Sequence, residues 1–78
     1  MKLPLLSSDR VIRVLLKQGF EYAPKRGKGS HVALYRQGAD GRKYLVVIPR
    51  NDPIPRGTLL SIIKQSGLSR DEFLHILK

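Results

Sequence analysis

An α+β two-layer domain is the fold class that this sequence predicts, on three observations. Apolar residues recur at helical spacing near the start of the 78-residue chain and again toward its end. Between them lie three strand-like runs joined by short Gly-, Pro- and Asp-containing segments, so consecutive strands are expected to pair antiparallel. Helices flanking such a meander gather on one face and leave the other open. The expected order is helix, three strands, helix and a short final helix, within one domain spanning residues 1–78 and without internal repeats.

The elements follow in order. Ser7 or Ser8 caps the first helix, Asp9 complements its N-terminal dipole, and Gly19 stops it. Val11, Ile12, Leu15 and Leu16 form its apolar stripe, while Arg10, Arg13 and Lys17 share the opposite face, either as a solvated face or as a phosphate-facing ridge. Phe20-Glu21-Tyr22-Ala23 alternates like a short strand. Pro24 to Gly29 is too rich in Pro and Gly for regular structure, and Ser30 to Arg36 forms the second strand. Gln37 to Arg42 is a hairpin loop with Asp40-Gly41 as its turn signal, and Lys43 to Pro49 holds the most apolar strand. After the stiff connector Arg50 to Pro55, a helix runs from about Arg56 to Ser66 with Leu59, Ile62 and Ile63 inward, ended by Gly67. Ser69-Arg70-Asp71-Glu72 is a capping box opening the last helix, which buries Phe73 and Leu77.

Composition narrows the function. Fifteen Lys and Arg against six Asp and Glu give a formal charge of +9, the electrostatic footprint of a nucleic-acid ligand or of a partner with acidic patches. A chain this small hides only about 60% of its unfolded surface, so a shallow site for a large ligand fits better than a deep pocket. With no cysteine, disulfides and thiolate metal sites are excluded, which suits a reducing cytosol. Met1 to Leu6 is too short for a signal-peptide core and no run reaches membrane-spanning length, so a soluble, cytoplasmic protein with no membrane contact is expected.

The candidate site centres on His31. It follows the basic loop Lys25-Arg26-Gly27-Lys28-Gly29-Ser30 and opens a strand. Side chains alternate along a strand, so Val32, Leu34 and Arg36 share the core side, while His31, Ala33 and Tyr35 face the open side. Imidazole exchanges protons near neutral pH, and neighbouring cations hold a phosphate whose charge grows during reaction. RNA supplies its own nucleophile in the 2′-hydroxyl, so neither metal nor cofactor is required. The same residues also fit a surface histidine that touches phosphate without chemistry. Gly27 to Ser30 lacks Walker A spacing, and His75 has no partner at metal-ligand spacing. A helix-turn-helix reading of residues 58–78 would open its recognition helix with Asp71 and Glu72, which repel phosphate.

Several motifs resemble one family. Leu16-Lys17-Gln18-Gly19-Phe20, Gly29-Ser30-His31, Val47-Ile48-Pro49, Gly57-Thr58-Leu59 and Ile62 through Ser69 occur in the order and spacing of HicA-type (YcfA-like) toxins, the ribonuclease half of HicA–HicB toxin–antitoxin modules. The resemblance spans nearly the whole chain. It implies a fold similar to a double-stranded-RNA-binding domain, metal-independent cleavage of mRNA, a HicB-type antitoxin that blocks the site, and His31 as the catalytic residue. Two departures stand out. Arg50 occupies the position where many relatives carry a further histidine, and Val32 follows His31 where relatives often double the imidazole. Arg50 binds phosphate but does not shuttle protons. The expected phosphate-binding set is Lys25, Arg26, Lys28, Gly29, Ser30 and Arg50, with Gly29 letting the backbone approach closely. The alternative is a double-stranded RNA-binding module without chemistry. Oligomeric state stays open, since edge strands offer places for self-pairing or antitoxin docking.

Overall fold

The computed structural model describes residues 3–23 and 31–77. Its order is α1 (Ser8–Lys17), β1 (Glu21–Tyr22), β2 (His31–Gln37), β3 (Lys43–Pro49), α2 (Arg56–Ser66) and α3 (Arg70–Leu77). The strands form one antiparallel sheet in the order β1-β2-β3. The predicted α+β fold, α-β-β-β-α with a short C-terminal helix, is the observed one.

Local chemistry sets the boundaries. The Ser7 hydroxyl accepts from the Arg10 amide at 3.3 Å and caps α1. Gly67 takes a left-handed φ of +79° to end α2, a conformation that costs glycine little. The capping box closes as its spacing predicts: the Ser69 hydroxyl accepts from the Glu72 amide at 3.1 Å, and a Glu72 carboxylate oxygen accepts from the Ser69 amide at 2.9 Å. Hydrogen bonding from the Ser69 amide first, and from the Ser69 hydroxyl second, holds the Glu72 carboxyl below the usual glutamate range. In the hairpin loop the Asp40 carboxylate accepts from the Arg42 amide at 3.0 Å.

All three helices share one core with the inner face of the sheet. Leu15 and Val11 of α1, Leu34 of β2, Val46 and Ile48 of β3, Leu59 and Ile62 of α2 and Phe73 of α3 are fully buried. One expectation needs correction in α1. Leu16 is 37% exposed and Val14 is buried at 3%. The apolar stripe is turned toward α3, because Ile76 and Leu77 lie along the groove that Val14 lines. The segment before α1 also enters the core through Leu3 and Leu6, and the Ile54 amide donates to the Leu6 carbonyl at 2.7 Å.

The register His31↔Pro49 through Gln37↔Lys43 sets the other face. His31, Tyr35, Leu45 and Val47 are exposed there. Ala33 shares that side yet is 3% exposed. Val47 is its partner in register on one side, and on the other the Ala23 amide donates to the Ala33 carbonyl at 2.9 Å.

Candidate nucleic-acid interface

His31 opens β2 and is exposed, as strand phase predicts. Its partner in register is Pro49, the last residue of β3, so Arg50 follows immediately beyond the pair. The chain then turns sharply. The Asn51 amide donates to the Pro49 carbonyl at 3.0 Å, a two-residue reach that makes Arg50 the centre of a tight turn. The Asn51 carbonyl in turn accepts from the Ser8 amide at 3.0 Å, satisfying one of the open donors at the start of α1. The end of β3 is thereby pinned to the first turn of α1, and the exposed Arg50 side chain lies along that helix.

The result is a cleft of about 200 Å³ lined by Asp9, Ile12, Arg13 and Leu16 of α1, Tyr22 of β1 and Arg50. Tyr22 pairs with Leu34, so it stands on the helix side of the sheet, yet it remains 59% exposed because β1 is a two-residue edge strand. A second groove of about 190 Å³ lies between α1 and α3, lined by Arg10, Arg13, Val14, Lys17, Ile76 and Leu77. The basic ridge read from the sequence is therefore exposed and forms the wall of a groove.

Of the predicted site residues, His31 and Arg50 come to the same end of the β2–β3 hairpin. Lys25, Arg26, Lys28, Gly29 and Ser30 lie outside the described residues. Sequence reasoning missed Tyr22, Asp9 and Leu16 as companions of Arg50. The only signal for them was Tyr22 itself, a large ring in a strand too short to cover it. His75 is exposed on α3. Among the described residues, no three His, Cys, Asp or Glu side chains gather as a metal site, and no helix is long and apolar enough to cross a membrane.

At the opposite end of the hairpin a different arginine is enclosed. The Arg36 guanidinium lies 5.4 Å from the Phe20 ring centre and 4.8 Å from that of Tyr44. Its Nε is buried without a hydrogen-bond partner among the described residues. This half-buried cation contacts two rings from separate segments.

Fold, charge and geometry define a small cationic α+β domain with shallow clefts along α1. The family model for the HicA toxin of bacterial toxin–antitoxin systems matches residues 8–68, from the first residue of α1 to just past the glycine that ends α2. The chain belongs to that family. It is thus a toxin-type component of a toxin–antitoxin system, and the resemblance carried by the sequence motifs holds. A comparison with curated proteins found no match.

Proposed function

We propose that this domain, residues 1–78, is a metal-independent endoribonuclease that cleaves mRNA and is neutralised in the cytoplasm by a HicB-type antitoxin. The observation that carries the reading is the placement of an exposed His31 beside the β3 end that presents Arg50, within a chain of the HicA toxin family. His31 takes the proton from a 2′-hydroxyl. The 2′-oxygen then bonds to phosphorus as the bond from phosphorus to the 5′-oxygen breaks, leaving a 2′,3′-cyclic phosphate and a 5′-hydroxyl. A water or the Lys28 ammonium protonates the departing 5′-oxygen. Arg50 and Lys28 balance the charge that builds on the phosphate, and Lys25 and Arg26 capture the RNA, with Gly29 and Ser30 admitting its backbone closely.

Family membership and the net charge of +9 support this reading. The alternative, a double-stranded RNA-binding module without chemistry, draws on the exposed stripe of Arg10, Arg13 and Lys17. Expression in cells separates them. Growth arrest is expected from the unaltered chain and from His75→Ala, and its loss from His31→Ala. Equal toxicity of all three contradicts the assignment.

A further inference from the structure

We propose that the cleft between α1 and β1 is a nucleotide-binding subsite, in which the base of the RNA residue next to the scissile phosphate lies against Tyr22 and Leu16 while Arg13 and Arg50 hold its phosphate. The proposal rests on reading the chain as an RNA-cleaving enzyme and assigns a subsite within that reading.

The mixture of side chains identifies the ligand. Arg13 and Arg50 supply two guanidinium groups, which match phosphate oxygens in charge and geometry. Tyr22, 59% exposed, offers a largely accessible side chain beside the aliphatic Ile12 and Leu16. Asp9 adds a carboxylate, which accepts hydrogen bonds from base N–H groups and disfavours a second phosphate. A trap for phosphate alone needs neither ring nor carboxylate. The groove between α1 and α3 makes the contrast: it has three cations and aliphatic walls, but no ring and no carboxylate. That groove suits a backbone phosphate, whereas the Tyr22 cleft suits a whole nucleotide.

Position points the same way. Arg50 lines the cleft and is also the residue just beyond the His31–Pro49 pair. The turn at Arg50 and the Ser8–Asn51 bond fix the chain where it leaves that pair and reaches α1, so Arg50 joins the cleft to the His31 end of the hairpin. Stacking on a single ring tolerates every base, because each has a π-face. Tyr22 is therefore expected to supply affinity for any base, and Asp9 to bias the choice among them.

The test titrates the four nucleoside 5′-monophosphates, ribose 5-phosphate and inorganic phosphate into the isotopically labelled full chain, reading amide shifts at Tyr22, Arg50 and the first turns of α1. The nucleotides are expected to bind about tenfold more tightly than ribose 5-phosphate, the factor that ~1.4 kcal/mol of stacking gives. Tyr22→Phe is expected to keep that gain and Tyr22→Ala to lose it. Equal affinity for nucleotides and ribose 5-phosphate overturns the proposal, as does a base-dependent gain that survives in folded Tyr22→Ala. The first comparison needs only the unaltered chain, so it decides even if Tyr22→Ala does not fold. Cleavage assays keep the two readings apart. His31-dependent cleavage without nucleotide binding removes the subsite alone, while nucleotide binding without cleavage removes the nuclease alone.

Discussion

The two ends of the β2–β3 hairpin each carry an arginine, and the two are put to opposite uses. Arg36 lies between the Phe20 and Tyr44 rings with its Nε buried, and Tyr44 in turn presses against Gly67 at the end of α2. Arg50 stands exposed at the other end, beside His31 in the register and along a cleft in α1. Residue type alone does not separate them. What separates them is the surrounding cover: two rings and a helix end on one side, a two-residue edge strand on the other. The packed end anchors the hairpin so that the open end presents its groups from a rigid strand pair. Charge at the packed end stabilises the fold, and charge at the open end is available to a ligand.

The comparison breaks most visibly at Gly67. Its φ of +79° disfavours any side chain, and a Cβ there would sit 2.6 Å from Cε1 of Tyr44. Gly67→Ala is expected to cost about 2 kcal/mol, read as a fall in denaturant midpoint without a change in slope. The arginines sharpen the contrast. Arg36→Ala removes both ring contacts and is expected to lose about 1–2 kcal/mol of stability, while leaving the salt dependence of RNA binding unchanged. Arg50→Ala should do the reverse, holding stability within about 0.5 kcal/mol and lowering the slope of log affinity against log salt by about 0.7–1. Among the positions that stabilise the fold, the smallest loss lies at α3. Ser69→Ala removes the cap and is expected to cost about 1 kcal/mol. The Glu72 half of that box acts with pH. Because its folded-state pKa lies below the ordinary value of about 4.3, its contribution is complete above that value and fades as pH falls through the lower, folded-state one. Acid titration of Ser69→Ala should show a smaller loss in that window than the unaltered chain.

Much of the fold was legible where punctuation residues stand at element ends. Pro, Gly and Asp flank the strong apolar runs at Lys43 to Pro49 and about Arg56 to Ser66, and β3 and α2 have those limits. His31 was placed on the open face by strand period alone, since Val32 and Leu34 had to face the core. Helical period allows both Val14 and Leu16 on the α1 stripe beside Val11 and Leu15, and the packing of α3 against α1 decides for Val14. Arg36 was placed in phase with the core, but its enclosure by rings from two other segments is a tertiary fact. The Tyr22 cleft was invisible for the same reason: it depends on the Ser8–Asn51 bond and the register of a two-residue strand.

Chemistry through His31 at the open end is tested most directly by RNA cleavage in vitro. Purified chain is incubated with RNA in the presence of a chelator, beside His31→Ala and beside RNA carrying a 2′-deoxy residue at the cut position. Cleavage is expected to leave a 2′,3′-cyclic phosphate, to fall at least about 100-fold in folded His31→Ala, and to stop at the 2′-deoxy position. Equal cleavage by His31→Ala, or no cleavage by the unaltered chain, contradicts it.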